Sequence, residues 1–417
     1  MSFSFDPLSP AFAENPYATY SELRDFDCPH FDVDLEMVLL ARYEDIATIA
    51  TNPAMLRSLD GIETPAQARE RQVEANWHDM PFHERFVQTS LLDSDGDTHR
   101  RLRKQIFGEF TARRVGKLES TVQAFVDALL DDLQHSDSFD FVNDFAAHIP
   151  GHVIGHLLGV PAEDCPQLRI WSERVVQFFD VDRSDKRKQL AETATREFHD
   201  YLVDLRQERS VRPRDDLISK MIADERSGHY SPDEFISTCM LILMAGHGST
   251  IDVLGSGMHT LLKYPHETRQ LREDPRQLPN AIQEMFRYES PLPFFHRHAT
   301  EDVILRGHHF PAGTTFGLLY GAANRDPGQF ANPDRFDIAR HPNRHLAFGL
   351  GAHLCLGNNL ARLNMRVIFE TLLRRYRVIE LAADHITYKP GLSVRGPTAL
   401  PVKLHFESGP LDSRLLH

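Results

Sequence analysis

The sequence predicts a mainly α-helical protein with a smaller β-rich lobe, an α+β chain of 417 residues. Three observations support this. From about Thr98 to Glu289 apolar residues recur at helical spacing almost without interruption. After Pro291 the texture changes to short β-branched and aromatic runs punctuated by glycine and proline. The composition, 41% apolar and 25% charged, is that of an ordinary globular chain. No repeat or Gly/Ser linker divides it, so a single domain over 1–417 is expected, its β-rich lobe drawn from about 30–60, 291–325 and the C-terminal strands. The helical lobe is drawn from about 98–290 and 356–377.

In chain order, Met37 to Ala41 reads as a strand and Tyr43–Asn52 as a helix. Val122–Leu133 has apolar 3–4 spacing, and Glu192–Glu208 carries alternating charges on an outer face. Ser231-Pro232-Asp233-Glu234 is a capping box with proline at the first helical position. The pattern then runs to about Lys263, some 50 Å at about 1.5 Å per residue, enough to cross the whole molecule. Val303–Leu305 and Thr314–Tyr320 read as strands, Leu356–Arg377 as a last helix, and the sequence around Val394 and Val402 as strand again.

The net charge of −14 argues against nucleic-acid binding, which needs a basic face. The longest apolar run, Cys239 to Gly246, is far short of a membrane span. The first basic residue is Arg24, so no charged leader segment is expected. Four cysteines, Cys28, Cys165, Cys239 and Cys355, have no paired spacing, which suits a reduced, cytoplasmic location.

The strongest chemical signal runs from Phe348 to Gly357. A strand-like Leu346-Ala347-Phe348 feeds a turn with Gly349 and Gly351, and Cys355 sits just before a helix. A thiolate there would meet the positive end of the helix dipole and free backbone N–H groups. The glycines would let the backbone fold beneath a flat ligand. An inert buried cysteine beside a loop is the bland alternative, but it leaves the spacing of the glycines and His353 unexplained. The centre of the long helix, Ala245-Gly246-His247-Gly248-Ser249-Thr250, places two glycines where each costs about 1 kcal/mol relative to alanine. Close helix packing is one explanation; a bulky or reactive neighbour is the other.

Phe-x-x-Gly-x-x-x-Cys-x-Gly, as it stands at Phe348, Cys355 and Gly357, resembles the haem-binding loop of the cytochrome P-450 family of haem-thiolate monooxygenases. The resemblance extends from about Asn15 to Leu404 and is closest to the soluble bacterial members. It implies haem b held between the long central helix and the cysteine loop with its following helix, Cys355 being the thiolate ligand to iron. Glu284-x-x-Arg287 and, further on, Arg335 in Pro333-Asp334-Arg335-Phe336 are then expected to form a buried structural Glu–Arg–Arg network. The haem propionates are expected to meet His99, Arg103, Arg297 and His353.

The resemblance places the distal chemistry at Gly246, Gly248, Ser249 and Thr250. An acid usually precedes the distal alcohol, but here Gly248 stands in its place and Ser249 supplies the hydroxyl. Three outcomes are open: a water chain through His247 or Asp252, a proton from the substrate, or hydrogen peroxide as oxidant. Lining of a pocket for a small or medium hydrophobic substrate, aromatic or terpenoid, is expected from Leu243, His247, Leu292, Phe294, Phe295 and Leu392, with Trp77, Phe82 and Phe86 nearby. Electrons are expected from a separate iron–sulfur ferredoxin and its NAD(P)H-dependent reductase. The ferredoxin would dock on Arg100, Arg101, Arg103, Lys104, Arg344, Arg362 and Arg366. The reaction implied is hydroxylation or O-demethylation with one atom of O2; the alternatives are a peroxygenase and a non-oxidising haem protein.

Overall fold

The computed structural model describes residues 3–59, 61–133, 136 and 138–406, so the outer ends of the expected 1–417 span lie outside the described residues. One helix organises the rest. Pro232–Lys263 begins at the capping box: the Ser231 hydroxyl accepts the N–H of Glu234 at 3.2 Å, and Glu234 accepts that of Ser231 at 2.9 Å. It then runs unbroken for 32 residues. Most of its faces are apolar because it is surrounded. Helices Ile149–Leu158, Cys165–Val176 and Leu278–Tyr288 pack along it, and the largest hydrophobic cluster forms around it. By length and composition it would also cross a membrane, but 72% of its most apolar window is buried inside the protein.

The strands gather into three small sheets. The largest has five strands in the order β1-β2-β8-β5-β3: β1 His30–Asp32, β2 Met37–Leu40, β3 Met55–Leu56, β5 Phe294–Ala299 and β8 Thr315–Leu319. It joins sequence from both ends of the chain, with β2 and β8 parallel and the other pairs antiparallel. A second sheet pairs β10 (Pro401–Phe406) with β9 (Tyr376–Leu381) and β4 (Phe139–Asp140). Strands β6 (Val303–Leu305) and β7 (His308–Phe310) form a hairpin. Val394 lies in no strand, and neither does Leu346–Phe348, where strand-like sequence had suggested one. Leu346 N–H instead donates to the Asn324 side chain at 2.6 Å, a side-chain partner in place of a ladder.

Candidate active site

The residues expected at the site fall on two parts of the fold, the loop that carries Cys355 and the middle of the central helix. In the first, the loop before helix Asn358–Arg375 is bent so that Cys355 N–H donates to the carbonyl of Phe348 at 2.8 Å. Gly349 and Gly351 have φ of 66° and 70°, where a side chain is strained. At Gly351 a Cβ would also sit 2.6 Å from the Ala50 carbonyl, so the loop presses on the end of helix Tyr43–Thr51. Phe348 packs with its ring tilted against Phe286, ring centroids 4.6 Å apart, with the Arg362 guanidinium 4.5 Å over its ring. The Arg103 guanidinium donates to Leu354 O at 2.6 Å, and Asn358 donates to Cys355 O at 2.6 Å. Gly357 is the N-cap of the helix, with no heavy atom within 4 Å of a Cβ built there.

Burial pushes the Cys355 thiol up; the Gly357 N–H, Arg103 and Arg362 oppose it without reversing it. A coordinated thiol is deprotonated outright, so a metal cation bound here would take the proton's place on this sulfur.

Behind the loop lies the Glu284 network. Arg287 donates to both oxygens of Glu284, at 2.7 and 2.8 Å, with both side chains fully buried. Arg335 does not complete it. Its side chain is 64% exposed, and its nearest carboxylate is Glu267 at 3.8 Å. Only its backbone takes part, accepting from Arg287 at 3.1 Å. The third member is Arg340, whose Nε lies 3.1 Å from each oxygen of Glu284; Asn343 adds a bond at 3.0 Å. The physical reason is the path of the chain, which wraps the carboxylate and brings Asp337 N–H to it at 2.9 Å, so the next arginine inward is residue 340. The only sequence signal was a second arginine five residues on.

Three of the four expected propionate partners come together. His99 and His353 have ring centroids 4.3 Å apart. His353 Nε2 lies 3.1 Å from Asp95 Oδ1, while Asp95 Oδ2 accepts the N–H groups of Arg57 and Ser58 at 2.8 and 2.9 Å. Burial, with His353 and Arg103 beside it, pushes the His99 pKa down to about 4. Arg297 is buried, and its pKa is pulled down to about 10 by burial. Among the described residues it pairs with no carboxylate; its guanidinium donates to the His296 carbonyl at 2.8 Å. A buried cation in that state calls for an anion. Arg103 is at hand but bonded to the loop. Arg57, unnoticed in the sequence, braces the cluster through Asp93 at 2.6 Å and the His296 carbonyl at 3.2 Å.

The other part is the central helix. In the middle of this helix Leu241, Ala245, Gly246, Gly248 and Ser249 are incompletely buried, and Leu241, Ala245, Gly248 and Ser249 among them make a stripe at i, i+4, i+7 and i+8. The two glycines differ. A Cβ at Gly246 would lie 2.5 Å from Ile154 Cδ1, so this glycine serves helix packing. A Cβ at Gly248 would meet nothing within 4 Å. Ser249 and Thr250 donate to the carbonyls of Ala245 and Gly246, both at 3.0 Å, and Thr250 is buried.

Several expected pocket residues lie elsewhere. Leu243 and His247, one turn apart, are buried on the far side of the helix, and His247 Cε1 is 3.1 Å from the place of a Cβ on Gly151. Phe294 and Leu392 pack in a cluster with Phe12, Leu39 and Leu319. Strand alternation explains Phe294, since neighbours on β5 face opposite ways. Phe295 remains on the other face, under the Arg57 guanidinium at 5.4 Å, and Leu292 is half-buried.

A family model described as Cytochrome P450 matches residues 168–399, more than half of the chain. The chain belongs to the cytochrome P450 family. It is 33% identical to the polyketide biosynthesis cytochrome P450 PksS of Bacillus subtilis (strain 168), over 96% of this chain and 98% of that protein. Among solved structures it resembles P450BioI in complex with an acyl carrier protein ligated to hexadec-9Z-enoic acid: TM-score 0.87, 32% identity, 95% of this chain and all of that one. It also resembles the myxobacterial cytochrome P450 CYP267B1 in complex with myristic acid: TM-score 0.87, 34% identity, 96% of this chain and 99% of that one.

The protein is therefore a cytochrome P450 monooxygenase whose cofactor is haem b. The residues present fit that group: a thiol awaiting a metal, glycines that keep the loop low, and a buried Arg297 awaiting an anion. Cys355 would hold the iron, and Arg297, His99 and His353 the propionates. When bound, haem supplies the metal at which dioxygen is split, with sulfur as the electron-rich ligand. On the incompletely buried stripe the chain also presents the Ser249 hydroxyl, which donates to the Ala245 carbonyl at 3.0 Å.

Proposed function

We propose that this P450 hydroxylates a hydrophobic substrate of acyl or polyketide type, using O2 and electrons from a separate ferredoxin and its NAD(P)H-dependent reductase, in the cytoplasm. This reading is supported by two features together, the strained glycine loop that carries Cys355 and the incompletely buried stripe Leu241, Ala245, Gly248 and Ser249 on the central helix. The substrate class takes support from relatives that handle a polyketide or are bound to fatty acyl groups. Trp77 and Phe179, ring centroids 5.6 Å apart, supply apolar wall in the early segment. Arg183 lies 5.0 Å over Trp77 with its buried Nε unpartnered, which suits a substrate with a polar or anionic end. Arg183→Leu is expected to raise KM for myristic acid about tenfold with little change in kcat, the loss of one charged hydrogen bond.

The electron-entry face is narrower than the sequence suggested. Arg100, Arg101 and Arg366 are occupied by Asp97, Glu234 and Glu119. Arg103, Lys104, Arg344 and Arg362 form no ion pair among the described residues, and exposed Phe107 and Leu354 add apolar contact for a small acidic protein.

The deciding experiment supplies purified holoenzyme with a surrogate ferredoxin, its reductase, NADPH and myristic acid under labelled O2. One labelled oxygen in the product, at a rate that falls with salt, is expected. The second reading, a peroxygenase, is favoured by glycine at 248; product from hydrogen peroxide alone, no faster with NADPH, would establish it instead. A shift in the visible spectrum with neither product would leave a ligand-binding protein.

A further inference from the structure

The Gly248 side of the central helix holds an acid after all, one turn further on. Asp252 is i+4 from Gly248 and i+3 from Ser249, the two spacings at which helix side chains are neighbours. Side chains lean toward the helix N-terminus, so the carboxylate at 252 is directed back over that turn. It is 1% exposed, yet its Oδ1 lies 2.6 Å from the ammonium of Lys389, whose side chain is 35% exposed. Its other oxygen, Oδ2, is buried with no partner. The pocket for it is shaped by Gly396, where a Cβ would stand 2.4 Å from Oδ1 and 2.7 Å from the Asp252 Cβ. Two groups of helix Cys165–Val176 act across it: Glu173 raises the Asp252 pKa, and Arg169 lowers that of His247. Burial, the largest influence, pushes the Asp252 carboxyl up, toward holding a proton. A cation reaching solvent is bonded to a buried carboxylate with a free oxygen, and a hydroxyl stands one turn back on the same helix, at Ser249.

We propose that Asp252, recharged from solvent through Lys389, delivers protons to the Ser249 hydroxyl, taking over the task of the acid missing at position 248. The proposal rests on the O2-dependent reading above and names its proton route. Per turnover, two electrons from NADPH by way of the ferredoxin and two protons from solvent accompany one O2. One oxygen atom enters the substrate and the other leaves as water. Each proton passes from the Lys389 ammonium to Asp252 and on to Ser249, and Lys389 regains it from bulk water. Asp252 and Lys389 act through Ser249 and need not touch the substrate. His247 has no place in the route: it faces Gly151 on the far side of the helix.

The test uses the holoenzyme with surrogate ferredoxin, reductase, NADPH and myristic acid as the probe. Asp252→Asn is expected to cut product formation about tenfold to a hundredfold, the scale of a general-acid contribution, and to raise the hydrogen peroxide released per NADPH. Lys389→Met should move both in the same direction by less. Gly248→Glu, for which there is room, should restore coupling in the Asp252→Asn background; a merely structural defect would not be rescued. Apart from turnover, the infrared carbon–oxygen stretch of the ferrous carbon monoxide complex should shift in Asp252→Asn. Unchanged coupling and an unchanged stretch in Asp252→Asn overturn the proposal, as does an unmodified enzyme that already releases all its reducing equivalents as peroxide. If Asp252→Asn fails to take up haem, an indifferent Lys389→Met overturns it equally. Failure of the parent reading is distinguishable, since NADPH is then not consumed at all.

Discussion

The two walls of the site are built on opposite rules. On the cysteine side the groups that fix the loop are claimed: the carbonyls of Phe348, Leu354 and Cys355 each accept a bond, and Glu284 takes bonds from Arg287, Arg340, Asn343 and Asp337, though Oδ1 of Asn343 itself is buried without a partner. The central helix, by contrast, keeps polar atoms in reserve. One oxygen of Asp252 is buried without a partner and the stripe from Leu241 to Ser249 is incompletely covered; on the far side of the same helix, away from the proposed route, both ring nitrogens of His247 are buried without partners as well. The lesson is a division of labour. A wall that fixes a ligand atom must have one arrangement, so its groups are saturated. A wall that transfers protons needs groups with bonding capacity left over.

The sharpest way to break that contrast is to strip a bond from the saturated side. Arg340→Ala leaves buried Glu284 with less compensation and should cost about 3–5 kcal/mol of unfolding free energy, together with haem retention. Arg335→Ala, at a solvent-exposed side chain, should stay within about 0.5 kcal/mol. Urea titrations of the two variants decide it; equal losses would restore Arg335 to the network.

That pair also shows where the sequence was legible. The long helix, its capping box, the cysteine loop and the Glu284–Arg287 pair could be read because each depends on residues near one another in the chain. The identity of the second cation could not, since it follows from how a loop of irregular backbone winds round a carboxylate more than fifty residues away. Pocket residues failed for a related reason. Leu243 and Phe294 are apolar on both readings, and only the packing partner, Ile149–Leu158 for the helix or the N-terminal cluster for the strand, tells core from lining. Lys389, distant in sequence from Asp252, carried no motif at all.

A smaller effect separates the two glycines of the central helix. Gly246→Ala drives a methyl into Ile154 and should destabilise by about 1–3 kcal/mol, as overpacking does. Gly248→Ala meets nothing and should stabilise by up to about 1 kcal/mol through helix propensity. Opposite signs in thermal unfolding would confirm that one glycine serves packing and the other the open stripe. Destabilisation at both would mean that the helix face at 248 is closed.

On the propionate side, Arg297→Leu removes an unpaired buried charge, so the protein without haem should lose little stability or gain some. Haem affinity should fall about tenfold, the worth of one charge-assisted hydrogen bond. Apoprotein titration with haemin, followed in the visible spectrum, measures this. A variant that binds haem as tightly as the unmodified protein would show that the guanidinium serves the fold instead.

A further effect concerns the reserve of the central helix itself. Burial holds the His247 pKa down to about 3, with Arg169 and Lys389 adding to it. Its ordinary value is 6.5, so above that pH the ring is neutral in both folded and unfolded chains and contributes nothing to pH dependence. Below 6.5 the unfolded chain takes up a proton that the folded one refuses, and stability falls as the pH drops toward about 3. His247→Leu removes that one site. The slope of unfolding free energy between pH 6 and 4 should become shallower by at most one proton's worth, about 1.4 kcal/mol per pH unit. An unchanged slope would mean that His247 is protonated inside the fold. It would then hold a partner, and the unpaired state of that wall would be confined to Asp252.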